Sequence, residues 1–303
     1  MAADPLLLLG AAGQLGRELL PKLQQAGYAV TALSRQQLDV IDLDAVRRTL
    51  NALRPRWIVN AAAYTAVDKA EQETQLAHTI NCDLPALLAE HAAQSDAALI
   101  HYSTDYVFNG QASQPYVETD ATDPLSVYGR TKRDGELAVQ ASGARHLILR
   151  TSWVFGAQGQ NFLKTMLRLA AERDSLRVVA DQTGVPTAAD WLADISLQAM
   201  QASDQHGVSG LFHASPTGQT NWHAYAQHVI AHALSLGWTL KAQPQAVQAI
   251  TTAEYPLPAA RPAYGLLDSQ ALAAVVGQPW PSWQQGVERV LGELREHAAG
   301  LTS

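Results

Sequence analysis

The chain contains a single cysteine, Cys82, among its 303 residues. One thiol cannot form an internal disulfide, so a reducing compartment is the expected setting. No apolar run approaches the roughly 18–20 residues that cross a membrane, and the short run at residues 6–9 lacks the flanks of a signal peptide. Lysine and arginine form no block, and the net charge is −7. These absences predict a cytoplasmic protein that binds neither nucleic acid nor membrane.

Short apolar runs alternate with helical patterns over the first half of the chain. Predicted helices include residues 15–26 and 43–53, and the predicted strands are residues 6–9, 29–33, 57–61, 98–103 and 146–150. Strands that alternate with helices pair in parallel, and runs without polar alternation are covered on both faces. The pattern predicts an α/β fold with a Rossmann-type, doubly wound parallel sheet.

A glycine-rich turn follows the first predicted strand. Gly10, Gly13 and Gly16 stand three residues apart, between that strand and an amphipathic helix. Such a turn lets the backbone approach a pyrophosphate closely, and the following helix offers free N–H groups to the anion. We predict a dinucleotide site here, and a glycine turn without a ligand is the alternative.

The end of the second strand bears on which dinucleotide is bound. An acidic residue there would bond the adenosine ribose of NAD, whereas an arginine would meet the 2′-phosphate of NADP. This strand ends in Ser34 and Arg35 and has no acid at its end. We therefore expect NADPH as the preferred cofactor and leave NADH open.

Tyr128 and Lys132 are four residues apart, so on a helix they share one face. An ammonium beside a phenol favours the phenolate and lowers a pKa that is ordinarily about 10. Thr104 follows the fourth predicted strand, at the sheet edge where parallel strands bind ligands. Its hydroxyl is placed to bond a carbonyl that Tyr128 protonates. These three are the predicted catalytic residues; for Thr104 a plain strand-end role is the alternative.

The composition changes after residue 150, where proline, glycine and tryptophan become frequent and helices outnumber strands. Residues 1–150 and roughly 189–215 are assigned to a dinucleotide-binding domain. Residues 151–188 and 216–303 are assigned to a smaller, mostly helical domain that binds the substrate. The chain is expected to return to the sheet through residues 191–202 and 211–214.

The glycine turn, the threonine and the Tyr-x-x-x-Lys pair together resemble the layout of the extended short-chain dehydrogenases/reductases. Longer segments extend the resemblance over nearly the whole chain, namely residues 60–71, 101–108, 124–132, 150–155 and 181–187. The resemblance implies NAD(P)H-dependent reduction of the C4 ketone of dTDP-4-dehydro-β-L-rhamnose, the last step of dTDP-L-rhamnose synthesis. The implied partner is therefore a dTDP-sugar, and monomer and homodimer both stay open.

The resemblance also implies roles residue by residue. The implied cofactor-binding residues are Gly13, Gln14 and Leu15 at the pyrophosphate, Asp39 and Val40 at the adenine, Ala63, Tyr64 and Thr65 beyond the third strand, and Tyr102 and Lys132 beside the nicotinamide. The implied sugar site is lined by Thr104, Asp105, Tyr128 and Trp153. Trp153 would offer an apolar face to the deoxysugar, with ordinary packing as the alternative.

Two further features of the resemblance leave questions open. The family pattern Arg-Pro-x-Asn-Ser-x-Leu begins here at Arg261, which matches a contact to the nucleotide diphosphate, but the Asn and Ser are replaced by Tyr264 and Gly265. Some members bind Mg²⁺ at a dimer interface through acids that match Glu18, Asp190 and Glu293. Oxygen ligands suit that ion, yet the expectation here is solvated acids without a metal.

Two other functions are kept as alternatives. A related nucleotide-sugar dehydratase would carry an acid where this chain has Tyr106, and an epimerase needs additional acid–base groups. Neither would consume NADPH. A non-catalytic regulatory subunit that binds a dinucleotide would not need the three predicted catalytic residues. Oxidation of NADPH by the purified chain with a keto-sugar separates these functions.

Overall fold

A computed structural model of the chain describes residues 4–278 and 280–300, with side chains as far as residue 297. The strands are β1 (Pro5–Leu9), β2 (Ala29–Leu33), β3 (Trp57–Asn60), β4 (Ala98–Thr104), β5 (Arg145–Thr151), β6 (Val154–Phe155), β7 (Leu176–Val179), β8 (Thr183–Gly184), β9 (Thr187–Ala188), β10 (Gly210–His213), β11 (Thr220–Asn221) and β12 (Val247–Ile250). The α-helices are α1 (Gln14–Gln25), α2 (Leu43–Leu53), α3 (Val67–Ala70), α4 (Thr74–His78), α5 (Leu84–Ser95), α6 (Val127–Ala141), α7 (Phe162–Glu172), α8 (Ala189–His206), α9 (Trp222–Ser235), α10 (Gln270–Val276) and α11 (Trp283–Gly300).

The central sheet is parallel, with the strand order β10-β5-β4-β3-β1-β2. The five strands predicted for the first half of the chain each agree with an observed strand to within one residue at either end. The predicted return to the sheet is made by α8 and β10. The predicted doubly wound α/β fold is therefore confirmed, and the strand order reverses beside β1, where such sheets bind ligands.

Both faces of the sheet are covered, as the unbroken apolar runs predict. Because successive side chains on a strand point to opposite faces, Leu6 and Leu8 pack with α1 and α8. Leu7 and Leu9 pack with α2 and α5 on the other face. All four leucines are at most 1% exposed. Strand β1 is thus fixed in position on both sides, and so is the glycine turn that follows it.

A second core lies in the later part of the chain. Helices α7, α9 and α11 enclose it around Phe155, Tyr225 and Trp283. Trp191 of α8 contacts both this core and the core of the sheet. The helical character predicted for this part agrees with these elements, while the boundaries between the two domains stay a prediction.

Helix α6 is tied to the sheet by a buried ion pair. Arg150 of β5 binds both carboxylate oxygens of Glu136, at 2.9 and 2.7 Å, and neither side chain is more than 5% exposed. A bidentate pair with both partners buried fixes geometry more firmly than a surface pair does. The pair therefore sets the position of α6 over β4 and β5. No helix in the described ranges is both long and apolar enough to cross a membrane.

Candidate active site

The glycine turn between β1 and α1 is packed so closely that side chains are excluded. Gly10 has φ +77°, and a Cβ atom there would lie 2.6 Å from the carbonyl group of Ala61. A Cβ atom on Gly16 would lie 2.2 Å from the backbone oxygen of Gly10. Gly13 caps α1 without a side-chain hydrogen bond, and the first turn of α1 holds no acid. The free N–H groups of this helix end form a cradle that fits a dinucleotide pyrophosphate.

Ser34 and Arg35, predicted at the adenosine end of the cofactor, follow a strand end that lies beside this cradle. The N–H groups of Gly10 and Ala11 bond to the carbonyl of Leu33, so the end of β2 adjoins the turn. Ser34 donates its hydroxyl to Gln37. Arg35 is exposed, and the described residues place no carboxylate within 4.0 Å of its guanidinium. An unpaired guanidinium at this place is available to a phosphate.

The segment after β3 is held by a residue that the sequence patterns do not single out. Asn81 is fully buried in a π-helical turn, Thr79–Asp83. Its Oδ1 accepts the N–H of Tyr64, and its Nδ2 donates to the Tyr64 carbonyl and to Thr131 of α6. Asn81 therefore fixes the predicted cofactor segment, residues 63–65, against the helix that carries Tyr128. No periodicity marks it in the sequence, because His78, Thr79 and Asp83 beside it are polar as well.

Tyr128 lies in the first turn of α6, where Ser126 caps the helix by accepting the Gly129 N–H. Burial, and then the charge of Asp105, raise the pKa of Tyr128 to about 12, although the neighbouring Thr104 hydroxyl acts in the opposite direction. The direction differs from the lowering that the Tyr-x-x-x-Lys spacing predicts. A phenol with a raised pKa is protonated at neutral pH, which suits a proton donor.

Lys132 does not lower the pKa of Tyr128 because its ammonium faces β4. It donates to the backbone carbonyl of Tyr102 and lies 3.3 Å from Nε2 of His101. The side chain of Lys132 is 2% exposed, and burial lowers its pKa to about 8 against the opposing effect of Glu136. The Tyr102 hydroxyl bonds to α8, so of this predicted residue only the carbonyl contacts Lys132.

Asp105 lies in the same site, just beyond β4. It accepts a 3.0 Å hydrogen bond from Thr104, and burial raises its pKa to about 7. A Cβ atom on Gly265 would lie 2.5 Å from Oδ2 of Asp105. The glycine that replaces the serine of the family pattern therefore sits directly against this carboxyl group.

The Asp105→Asn variant is expected to change how stability depends on pH. Because the folded-state pKa is raised above the ordinary value of about 3.9, the folded chain binds the proton more tightly and wild-type stability falls as pH rises from about 4 to 7. Asparagine has no such proton, so its free energy of unfolding does not fall in this way. The difference in unfolding free energy between variant and wild type therefore grows by up to about 4 kcal/mol from pH 4 to pH 8 in favour of the variant. Denaturant unfolding at pH 4 and at pH 8 measures this difference. The exposed Asp174→Asn serves as control, and a constant difference between variant and wild type would contradict the prediction.

Trp153, predicted at the sugar site, has a constrained position. Its backbone is left-handed, with φ 45°, a conformation that costs a non-glycine residue energy and clusters at functional sites. Its ring stacks on Trp222 with centroids 3.6 Å apart. A Cβ atom on Gly184 would lie 2.5 Å from the Trp153 ring. Trp153 is thus held between a tryptophan and a glycine, beside the cavity that Trp222 lines.

That cavity has a volume of about 530 Å³ and contains several polar groups among apolar walls. Those that can bind an anion or a nucleobase are Arg173, Arg177, Gln182, Trp222, Tyr255 and Arg261. Arg261 binds both carboxylate oxygens of Asp68, at 2.7 and 3.0 Å, and this holds the pKa of Asp68 below its usual range. The charge of Arg261 acts on the neighbouring Tyr106, whose ring lies 5.5 Å from that of Tyr128. The cavity therefore adjoins the catalytic group.

The three acids considered for Mg²⁺ lie near one another at a different place, but among the described residues their carboxylate oxygens do not form a group within 4.8 Å of one another. Burial and the charges of Asp190 and Glu293 raise the pKa of Glu18. Both carboxylate oxygens of Asp190 are bound by Arg289. This arginine neutralises part of the charge that would attract a divalent cation, so within the described residues of one chain the acids fit the ion poorly. Solvated acids without a metal remain the prediction, and Mg²⁺ binding at a dimer interface is untested.

Fold and site together define a class of protein. The sheet is doubly wound and has a glycine cradle beside β1. A Thr–Tyr–Lys group lies at the carboxyl end of β4. These features are characteristic of the extended short-chain dehydrogenases/reductases. Lys132 contacts the backbone carbonyl of Tyr102, two residues before Thr104 on β4. Tyr106, two residues after Thr104, packs edge-on against Tyr128. The three predicted catalytic residues therefore lie near one another.

Comparison with known proteins narrows this class. The family model described as the RmlD substrate binding domain matches residues 4–296. The dTDP-4-dehydrorhamnose reductase of Shigella flexneri is 44% identical over 294 residues, covering 95% of this chain and 97% of the relative. The enzyme of that name from Escherichia coli K12 gives the same identity and coverage. The chain belongs to the dTDP-4-dehydrorhamnose reductase family, as the resemblance predicts.

Solved structures agree with this assignment. The crystal structure of dTDP-4-dehydrorhamnose reductase from Bacillus anthracis, in complex with NADP, matches with a TM-score of 0.88 at 33% identity, over 96% of this chain and 99% of that one. The UDP-glucose 4-epimerase of Thermus thermophilus, in complex with NAD, matches with a TM-score of 0.78 over 96% and 99% of the two chains. Because its identity is 18%, this second match concerns the fold alone.

Proposed function

We propose that this protein reduces the C4 ketone of dTDP-4-dehydro-β-L-rhamnose to the hydroxyl of dTDP-L-rhamnose, with NADPH as reductant. The observation that carries the proposal is the group formed by Thr104, Tyr128 and Lys132 in a chain of this family. The ketone gains a hydride at C4 and a proton at O4, and NADPH is oxidised to NADP⁺. The NADP complex of the Bacillus anthracis relative supports the choice of cofactor.

Three residues of the chain have different roles in the proposed reaction. The bound dinucleotide supplies the hydride from C4 of its nicotinamide ring. Tyr128 donates the proton to O4 as negative charge develops there, and its raised pKa keeps the phenol protonated at neutral pH. Thr104 orients the carbonyl oxygen, and Lys132 holds the nicotinamide ribose. Solvent returns the proton to Tyr128 after turnover.

The substrate nucleotide is assigned to the cavity beside Trp222. Its volume of about 530 Å³ lies in the usual range of small-molecule sites, about 300–1,000 Å³. Its arginines offer forks that match diphosphate oxygens. The sugar end of the nucleotide is proposed to face Tyr128, and the position of Tyr106 next to both Arg261 and Tyr128 supports this orientation. In this arrangement the diphosphate competes with Asp68 for Arg261.

The test follows the decrease in NADPH absorbance in a solution of the purified protein, with dTDP-4-dehydrorhamnose generated in situ. We expect oxidation that depends on the keto-sugar and yields one NADP⁺ for each dTDP-L-rhamnose. Epimerised or dehydrated sugar without net NADPH consumption would contradict the proposal. Cofactor binding without turnover on this or related keto-sugars would point instead to a regulatory subunit.

The Arg35→Ala variant is expected to lose part of its preference for NADPH over NADH. A hydrogen bond to a charged phosphate contributes about 1.5–3 kcal/mol, so the ratio of kcat/KM for the two cofactors falls by about 10-fold or more. Only the NADPH reaction weakens, because NADH carries no 2′-phosphate. Arg48→Ala removes another exposed arginine, on α2, and is the matched control. An unchanged ratio in Arg35→Ala overturns the role of Arg35 without touching the reductase proposal.

A further inference from the structure

His101 is a buried histidine beside the predicted catalytic residues, and neither the predicted site residues nor the proposed mechanism gives it a role. It lies on β4, three residues before Thr104, and is 0% exposed. Its Nε2 is 3.3 Å from the Lys132 ammonium, and its Nδ1 is 3.1 Å from the Asn60 amide. Asn60 and His101 are paired residues of β3 and β4, so the sheet register brings them together.

We infer that His101 is a positioning residue whose neutral imidazole accepts a hydrogen bond from Lys132 through Nε2 and keeps that ammonium charged and correctly aimed. The inference deepens the proposed function and rests on it for the part that Lys132 plays in the reaction. The contact between the His101 and Lys132 side chains does not depend on which substrate the protein binds.

The chemistry of the three groups selects one tautomer. A charged ammonium can only donate, so Nε2 of His101 must accept and the imidazole proton must lie on Nδ1. The partner of Nδ1 is then an acceptor. Among the described residues Oδ1 of Asn60 is buried without a partner. The amide orientation that turns Oδ1 towards Nδ1 gives this oxygen its hydrogen bond and completes the row Asn60–His101–Lys132.

The surroundings keep the imidazole neutral. Burial, and then the charge of Lys132, hold the pKa of His101 well below its ordinary value. Burial also lowers the pKa of Lys132 to about 8, while Glu136 raises it. Glu136 is itself bound by Arg150. The ammonium therefore depends on uncharged acceptors, and it has two, the Tyr102 carbonyl and Nε2 of His101.

Other titratable groups on the elements around α6 interact with groups other than Lys132. The charge of Asp105 raises the pKa of Tyr128. Burial, and then the charges of Asp83 and Asp134, raise the pKa of Cys82. The Tyr102 hydroxyl donates to Ser196.

Glu136 is the acid that acts on Lys132, and Arg150 holds it in a buried ion pair, so among the described residues its charge is the same with or without His101. Removal of His101 therefore takes away a hydrogen-bond acceptor of the ammonium and leaves that charge in place. The charged form is then favoured less, and Lys132 loses its proton at a lower pH.

The test compares His101→Leu with His101→Gln. Leucine removes the acceptor, whereas the Gln side-chain oxygen can occupy the place of Nε2. We expect the alkaline limb of the kcat/KM profile to move to lower pH by about one to two units in His101→Leu, and by less than about half a unit in His101→Gln. A role in packing alone would lower activity equally at every pH. His223→Gln alters a partly buried histidine of α9, whose Nε2 contacts the carbonyl of Val247, and is expected to leave the limb in place.

A measurement without substrate separates this inference from the proposed function. The chain has only five lysines, so the ε-methylene signals can be titrated by NMR in the cofactor-free protein, and Lys132→Arg assigns the signal of Lys132 by its loss. The same downward shift of the Lys132 titration is expected in His101→Leu, and ¹⁵N spectra should show the proton of His101 on Nδ1. A proton on Nε2, or an identical Lys132 titration in wild type and His101→Leu, overturns the inference even if the reductase activity is confirmed. If only the activity assay fails, the proposed function is wrong, and the NMR titration still decides whether His101 accepts a hydrogen bond from Lys132.

Discussion

Replacing Tyr128 by phenylalanine is expected to lower kcat by about 10²–10⁴-fold, the usual contribution of a positioned general acid. Only the hydroxyl is removed, and the ring that packs edge-on against Tyr106 is retained. Because Lys132 is held by β4 and not by Tyr128, the cofactor site keeps its geometry. The affinity for NADPH, measured by fluorescence titration, should therefore stay within about twofold of wild type.

Tyr225→Phe is the matched control for this prediction. Its hydroxyl is buried without a hydrogen-bond partner among the described residues, and the residue lies in the second core rather than in the catalytic group. Removing an unpaired buried hydroxyl is expected to leave kcat unchanged and to raise the free energy of unfolding slightly. Turnover by Tyr128→Phe within a few-fold of wild type would show that another group protonates the sugar.

The Gly16→Ala variant is expected to lose dinucleotide binding. The added methyl group would lie 2.2 Å from the Gly10 oxygen and 2.8 Å from the Ala11 Cα, and both contacts are to backbone. Backbone atoms can yield only if the turn opens, which displaces the N–H groups of α1 from the pyrophosphate. We expect NADPH binding to weaken by about 10²-fold or more, with a loss of about 1–3 kcal/mol in the free energy of unfolding.

Gly292→Ala tests the same chemical change where there is room for it. Gly292 also lies inside a helix, α11, and a Cβ atom there meets nothing within 4 Å. Alanine is expected to stabilise the fold by about 0.5–1 kcal/mol and to leave NADPH binding unaltered. Calorimetric titration with NADPH and thermal unfolding of both variants measure the contrast. Wild-type affinity in Gly16→Ala would mean that the pyrophosphate does not bind at this turn.

Much of the fold was predictable because it is encoded over short stretches of sequence. The unbroken apolar run of β1 is covered on both faces as predicted, and the strand at 29–33 and the helix at 43–53 have the observed bounds. The glycine spacing and the Tyr-x-x-x-Lys pair are equally local. Each pattern lies within a few turns of one element, where backbone geometry fixes which side chains share a face.

The state of the catalytic groups was less predictable. The spacing of Tyr128 and Lys132 places them on one helix face but does not say what faces them. Burial raises the pKa of Tyr128, and β4 draws the Lys132 ammonium away. The pairing of Arg261 with Asp68 joins residues 193 positions apart. No periodicity in the sequence carries information over such a distance.

The amino-acid sequence by itself thus determined the alternation of strands and helices along the chain and the glycine turn, and it predicted which side chains react. The tertiary structure alone decided that Asn81 holds the cofactor segment, that Gly265 lies against Asp105 and that His101 faces Lys132. The physical reason is that element formation depends on local hydrophobic period and backbone geometry. Hydrogen-bond partners and pKa values depend instead on which distant groups become neighbours, and on how much water they lose, when the elements pack.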